Sequence, residues 1–105
     1  MDFNNNSYLI KITDECYEEM KQIYDYIANS LKANNLAVKL LKTVKIKIGK
    51  LIQMPKLYPI INKQNRAKLE YRRIVVRNYV ILYTVDDNQK IVYISHMYFK
   101  RKKYL

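Results

Sequence analysis

Apolar residues recur along this chain with two different periods, and the changes of period divide it into elements. Ser7 to Ile12 is a short apolar, partly β-branched run, bounded by Asn4, Asn5 and Asn6 before it and Thr13 and Asp14 after it, and it predicts a strand that opens a sheet. Thr13 or Asp14 then suits a helix cap, and Asp14, Glu15, Glu18 and Glu19 put negative charge near the positive N-terminal end of the following helix. Cys16, Met20, Ile23, Ile27 and Leu31 form one stripe at helical spacing, and Lys32-Ala33-Asn34-Asn35 breaks it. A second stripe runs through Ala37, Leu40, Leu41, Val44, Ile48, Leu51 and Ile52, with Lys39, Lys42 and Lys50 on the opposite side. Val44 to Ile48 also alternates as a strand would, and Gly49 costs a helix about 1 kcal/mol relative to Ala. The helical stripe persists across the whole segment and is the stronger pattern. Met54-Pro55 ends it, because the residue before proline is disfavoured in the α region.

Residues 56–70 contain Pro59 and the polar run Asn62 to Arg66 and read as a loop. Three strands follow: Tyr71 to Val76, with Ile74 and Val76 on one face and Arg73 on the other; Tyr79 to Val85, apolar enough to be central; and Ile91 to Met97. Arg77-Asn78 and Asp86 to Gln89 supply the turns, and Tyr98 to Leu105 forms a basic, aromatic tail. The expected fold is α+β in the order β-α-α-β-β-β, a two-helix hairpin packed on a twisted antiparallel sheet of about four strands, in one domain over residues 1–105. The helices cover one face of that sheet. The other is left partly open, and Arg73 should project from it.

Charge narrows the partners. Twenty Lys+Arg stand against nine Asp+Glu, a net +11, and the imbalance is uneven: residues 1–31 hold six acids and two bases, and residues 32–105 three acids and eighteen bases. Such a field attracts nucleic acid, the ribosome or an acidic protein. No apolar run approaches the ~20 residues that cross a bilayer, and residues 1–6 lack a signal peptide's basic and apolar regions, so a cytoplasmic protein with no membrane partner is expected. Cys16 is the only cysteine, which excludes an intramolecular disulfide and a cysteine-cluster zinc site; no metal or other cofactor is expected.

Several segments resemble a known family. Tyr24-Asp25-Tyr26-Ile27-Ala28, then Ala37 with Leu40 and Leu41, then Leu51 and Pro55 or Pro59, are similar to the helical hairpin of the RelE/ParE superfamily. Tyr71 to Tyr83, with Val92-Tyr93-Ile94 and Arg101-Lys102-Lys103-Tyr104 behind it, resembles that family's arginine-led strand, Asn-Tyr turn, hydrophobic strand ending in Tyr and basic C-terminal motif. The likeness spans Tyr8 to Tyr104 and rests on order and spacing, not on one motif. It implies the growth-inhibiting toxin of a bacterial type II toxin–antitoxin system, held inactive by a separate acidic antitoxin whose disordered segment folds as it wraps the toxin.

Two activities occur in that superfamily: RelE-like members cleave mRNA in the ribosome, and ParE-like members inhibit DNA gyrase. Cleavage needs help for the 2′-oxygen, cations for the developing charge and an acid for the leaving oxygen. The catalytic candidates on that reading are Arg73, Arg101 and Tyr104. Arg72, Arg73, Arg77, Tyr98, Lys100, Arg101, Lys102 and Lys103 are the candidates for binding nucleic acid or a target, since interleaved cations and rings suit phosphates and bases. The sequence departs from the nuclease pattern at two positions. Val80 stands where many such members have an arginine, and Phe99 near where others have a catalytic histidine. His96 shares a strand face with Val92 and Ile94 by alternation and reads as structural, as do Tyr83, Tyr93 and Cys16. The sequence therefore leans to gyrase inhibition, which requires no catalytic residue; the ribosome-dependent ribonuclease is the alternative. A non-toxic basic nucleic-acid-binding module ranks third, because no helix-turn-helix, zinc or RNP-like signature is present.

Overall fold

A computed structural model describes residues 7–61 and 69–101; the loop run Asn62 to Arg66 and the tail residues Lys102, Lys103 and Tyr104 lie outside the described residues. The elements are β1 (Leu9–Ile12), α1 (Asp14–Asp25), α2 (Asn34–Gly49), β2 (Arg72–Val76), β3 (Tyr79–Asp86) and β4 (Ile91–Phe99). The α+β class, the element order and the two-helix layer on a four-stranded sheet are those the periodicity indicates.

Local chemistry sets the helix limits. The Thr13 hydroxyl accepts the Cys16 N–H at 3.1 Å, and it also donates to the Ser95 carbonyl at 3.2 Å, so one side chain caps α1 and ties its start to β4. At its far end α1 widens into a π-turn, Tyr26–Ser30, closed by the Leu31 N–H on the Tyr26 carbonyl. Lys32 then takes a left-handed φ of 52° and turns the chain toward α2. The strand-like alternation of Val44 to Ile48 does not win: α2 runs through it, burying Ala37, Leu40, Val44 and Ile48 and leaving Lys45 and Ile46 outside. A short 3-10 turn, Lys50–Ile52, adds Leu51 to the core. The buried stripe is narrower than expected, for Leu41 and Ile52 are exposed.

The strand order is β1-β4-β3-β2. The β2–β3 and β3–β4 pairs are antiparallel, as their short turns require. Here the expectation of an antiparallel sheet is corrected: β1 pairs parallel with β4, from Leu9 opposite Ile91 to Ile12 opposite Ile94, so the sheet is mixed. The antiparallel meander leaves the outer side of β4 open, and β1 fills it in a direction set by a long connection through both helices, not by a hairpin. β4 is also longer than expected. Tyr98 and Phe99, expected in the tail, are strand residues paired with Val80 and Tyr79.

The main core lies between helices and sheet, where Ile74, Val76, Ile81, Tyr83, Val92 and Ile94 meet Cys16, Leu40, Val44 and Leu51. On the other face Val80, Leu82 and Tyr98 form a smaller buried cluster, with Ile61 and Tyr71 against it. The connector after α2 is fastened by buried polar groups. The Tyr83 hydroxyl donates to the Pro55 carbonyl at 2.8 Å and accepts the Tyr58 N–H, and Arg72 Nη1 donates to the Tyr58 carbonyl at 2.6 Å. Lys56 and the Tyr8 hydroxyl both reach the Asp87 carboxylate and hold its pKa below the ordinary carboxylate value. Among the described residues no helix is long and apolar enough to cross a membrane.

Candidate functional site

The cations singled out in the sequence end in three different situations. Arg72 is half-buried and donates to the carbonyls of Lys56 and Tyr58, so it serves the connector. Arg73 is exposed on the face away from the helices, opposite Leu82. Arg77, Lys100 and Arg101 gather at one end of the sheet: Arg77 lies in the β2–β3 turn, and the Lys100 N–H donates to the Asn78 carbonyl at 2.6 Å, which closes the end of β4 onto that turn. All three are exposed. Arg73 is three residues short of the turn-closing Val76, roughly 10 Å at a strand's rise per residue, and so belongs to a different patch. Tyr98 is buried between β-strand neighbours on the open face, so its ring packs against protein and is not presented for stacking. Lys102, Lys103 and Tyr104 lie outside the described residues.

His96 differs from the sequence reading in its geometry. A register shift between Leu82 and Tyr83 pairs Leu82 with His96 and Tyr83 with Ile94, so alternation is interrupted at Ser95 and His96 leaves the face of Val92 and Ile94. It stays partly buried. Its Nδ1 lies 3.3 Å from a Glu19 carboxylate oxygen and 3.8 Å from Glu15, and the same Glu19 oxygen accepts the Met97 N–H at 3.1 Å. This carboxylate thus ties α1 to the stretch of β4 beyond the reach of β1. Tyr83 is fully buried, and burial is the largest cause raising its hydroxyl pKa, which suits a structural donor and not an acid at neutral pH. Cys16 is buried as read, with its thiol pushed up to about 12, chiefly by burial and then by the charges of Glu19 and Glu15. Among the described residues no group of three or more potential ligands could hold a metal ion.

Apolar concavities are what the sequence reading missed. On one flank of α1 a groove of about 440 Å³ runs between α1, α2 and β1, lined by Ile12, Tyr17, Met20, Leu41 and Ile48 among others. On the other flank a pocket of about 620 Å³ lies between α1 and the basic end of the sheet, lined by Gln22, Ile23, Tyr26, Leu31, Asn78, Tyr79 and Phe99. Tyr79 and Phe99 meet edge to face at 5.7 Å. Tyr26, Leu31 and Phe99 are each about half exposed. At the sequence level these residues look like more of the helical or strand core, and the only signal separating them is their place at the margins of the stripes.

Comparison with known proteins agrees with this geometry. The family profile described as ParE toxin of type II toxin-antitoxin system, parDE, matches residues 10–97. Among solved structures, the chromosomal ParDE system from P. aeruginosa superposes with a TM-score of 0.70 at 14% identity, covering 90% of this chain and 98% of that one. The RelBE2 toxin–antitoxin complex from Mycobacterium tuberculosis gives 0.61 at 14% identity over 96% and 100% of the two chains, and the intact E. coli RelBE complex 0.58 at 15% identity over 92% and 100%. No curated protein matches the sequence.

Proposed function

Since this chain belongs to the ParE toxin family of type II toxin–antitoxin systems, we propose that it arrests growth by binding and inhibiting DNA gyrase, with no covalent chemistry of its own. The observation that carries this reading is the make-up of the open sheet face. Its centre is a buried apolar trio, Val80, Leu82 and Tyr98, and His96, next in line, is turned to Glu19. Arg73 is an exposed cation there whose side chain enters no hydrogen bond or ion pair among the described residues, whereas general acid–base catalysis needs a positioned acid and base. Binding by complementarity needs only surface, and the apolar concavities and the basic end of the sheet supply it. In the resting state the protein is held by a separate acidic antitoxin. Its apolar, acidic segment matches the exposed apolar concavities and the net charge of +11.

The exposed Arg73 favours a ribosome-dependent ribonuclease instead. The two readings part in a single experiment: brief induction in a susceptible cell, with ribosome-associated mRNA cuts and gyrase-trapped DNA breaks measured in the same culture. DNA breaks with intact mRNA are expected. Rapid mRNA cuts without DNA breaks would overturn the proposal, and alanine at Arg73, Arg101 and Tyr104 would then identify the groups responsible.

A further inference from the structure

Residues 32–105 hold three acids, Glu70, Asp86 and Asp87, and the fold brings all three to one cleft, at the end of the sheet away from Arg77, Lys100 and Arg101. The β2–β3 register carries Glu70, two residues before β2, to the end of β3, where Asp86 closes the strand and Asp87 begins the turn to β4. The cleft has two joined parts that share Leu69, Thr84, Val85 and Asp87: about 250 Å³ beside Lys56, Glu70 and Arg72, and about 420 Å³ beside Asp86, Asn88 and Tyr93. Thr84 supplies an observation independent of the acids. It is nine-tenths buried, yet among the described residues its hydroxyl has no hydrogen-bond partner. No enclosed side-chain oxygen among those residues lacks a partner, so the Thr84 oxygen opens into the cleft it lines. We infer that this cleft is a binding site for a guanidinium group, carried by a small arginine-like molecule or by an arginine side chain of a protein.

The cations that line the cleft are already committed. Lys56 pairs with Asp87 at 2.8 Å, and Arg72 Nη1 donates to the carbonyls of Lys56 and Tyr58. Lys11, opposite Tyr93 in the β1–β4 register, and Lys90, after the turn, are exposed nearby but line neither part. The larger part is lined by no cation. It offers the Thr84 hydroxyl and the carboxylates of Asp86 and Asp87 as acceptors, with the Tyr93 side chain as a wall. One Asp86 oxygen accepts the Gln89 N–H at 3.0 Å, and no other hydrogen bond engages that carboxylate among the described residues. A guanidinium suits this set. Its planar fork of five donors serves several acceptors at once, stacks on an aromatic face, and is less strongly hydrated than an ammonium. The phosphates of a nucleic acid would meet three carboxylates and be repelled. A metal ion is not favoured, because no group of three or more potential ligands among the described residues could hold one.

The test titrates the whole protein at low ionic strength with L-argininamide, L-lysinamide, guanosine and a blocked Gly-Arg-Gly tripeptide, following backbone amide signals by NMR. L-argininamide should move the signals of Thr84, Asp86 and Asn88, and bind at least roughly threefold more tightly than L-lysinamide. Thr84→Val removes the hydroxyl while keeping the side chain's shape, and Asp86→Asn removes the charge while keeping an oxygen for the Gln89 N–H. Each should weaken L-argininamide by roughly threefold or more. Asp86→Asn tests the site even where Thr84→Val disturbs the strand. Raised salt should weaken binding as well. A tripeptide that binds as tightly as L-argininamide assigns the ligand to a protein's arginine, and one that binds more weakly assigns it to a free small molecule; both uphold the guanidinium site. Shifts that are absent or scattered over the surface, equal binding of L-lysinamide, tighter binding of guanosine, or L-argininamide affinity unchanged in both variants would each overturn the inference. The gyrase reading stands or falls separately, on the induction experiment.

Discussion

Two residues show how local conformation and burial set behaviour. Cys16 is neutral in both folded and unfolded chains below about 9; above that the unfolded chain gains by ionising the thiol, and the folded chain cannot until about 12. The folded state binds the extra proton in this window, so stability falls as pH rises through it. Replacing Cys16 with Ala removes that part of the alkaline loss, and the gap in denaturation midpoint between wild type and variant should shrink from neutral pH to about 10. A thiol reagent at neutral pH should modify the native protein no faster than it unfolds. Arg77 occupies the left-handed region with a φ of 55° in the β2–β3 turn. Glycine adopts that conformation without the Cβ clash but adds freedom to the unfolded chain, so Arg77→Gly should stabilise by a few tenths to about 1 kcal/mol.

At the scale of elements, α2 was the ambiguous segment, and its outcome follows from what it can bury. As a helix it puts Ala37, Leu40, Val44 and Ile48 on one line against the sheet, whereas a strand through Val44 to Ile48 would bury three residues and strand the rest. Gly49 ends α2 with an ordinary helical backbone, φ −59°, and open space where a Cβ would stand. Gly49→Ala should therefore raise stability by roughly 0.5–1 kcal/mol in a denaturation experiment, by removing the entropy cost of glycine in a helix. For β4 the decisive feature is its irregularity. The shift at Ser95 reverses alternation for everything beyond it, which turns His96 toward Glu19 and brings Met97 into the core. A single-sequence reading assumes unbroken alternation, and a bulge gives no local warning when no glycine marks it.

Over the whole molecule, the connector from α2 to β2 decides how much of the open face is covered. Its anchor is polar and buried: losing the Tyr83 hydroxyl leaves the Pro55 carbonyl without its donor, so Tyr83→Phe should cost about 1–2 kcal/mol and loosen residues 53–61, measurable as faster amide exchange there. The Asp87 network acts in the same place with a pH sign of its own. Because Lys56 and Tyr8 depress the carboxyl in the folded state, its contribution is present above the usual carboxylate range and is lost as pH falls below it. Exposure to solvent keeps that contribution small.

The β-α-α-β-β-β order and the polarity of the helices were legible along the chain, because hydrophobic period, caps and turn residues act within a few positions of each other. The family likeness was legible too, as an order of short motifs. What no local pattern could supply was which end of a long connection meets which strand. The parallel docking of β1 on β4 joins residues about eighty positions apart, and its direction depends on the path through both helices. The candidate site divides the same way. The excess of cations and their position late in the chain follow from composition, but their sorting into Arg72 bound to the connector, Arg73 exposed on the open face, and Arg77 with Lys100 and Arg101 at one end is a product of register. Exposure of Tyr26, Leu31 and Phe99 is likewise collective. An apolar side chain is core or surface according to whether another element arrives to cover it, and at this flank of α1 the sheet ends before it does.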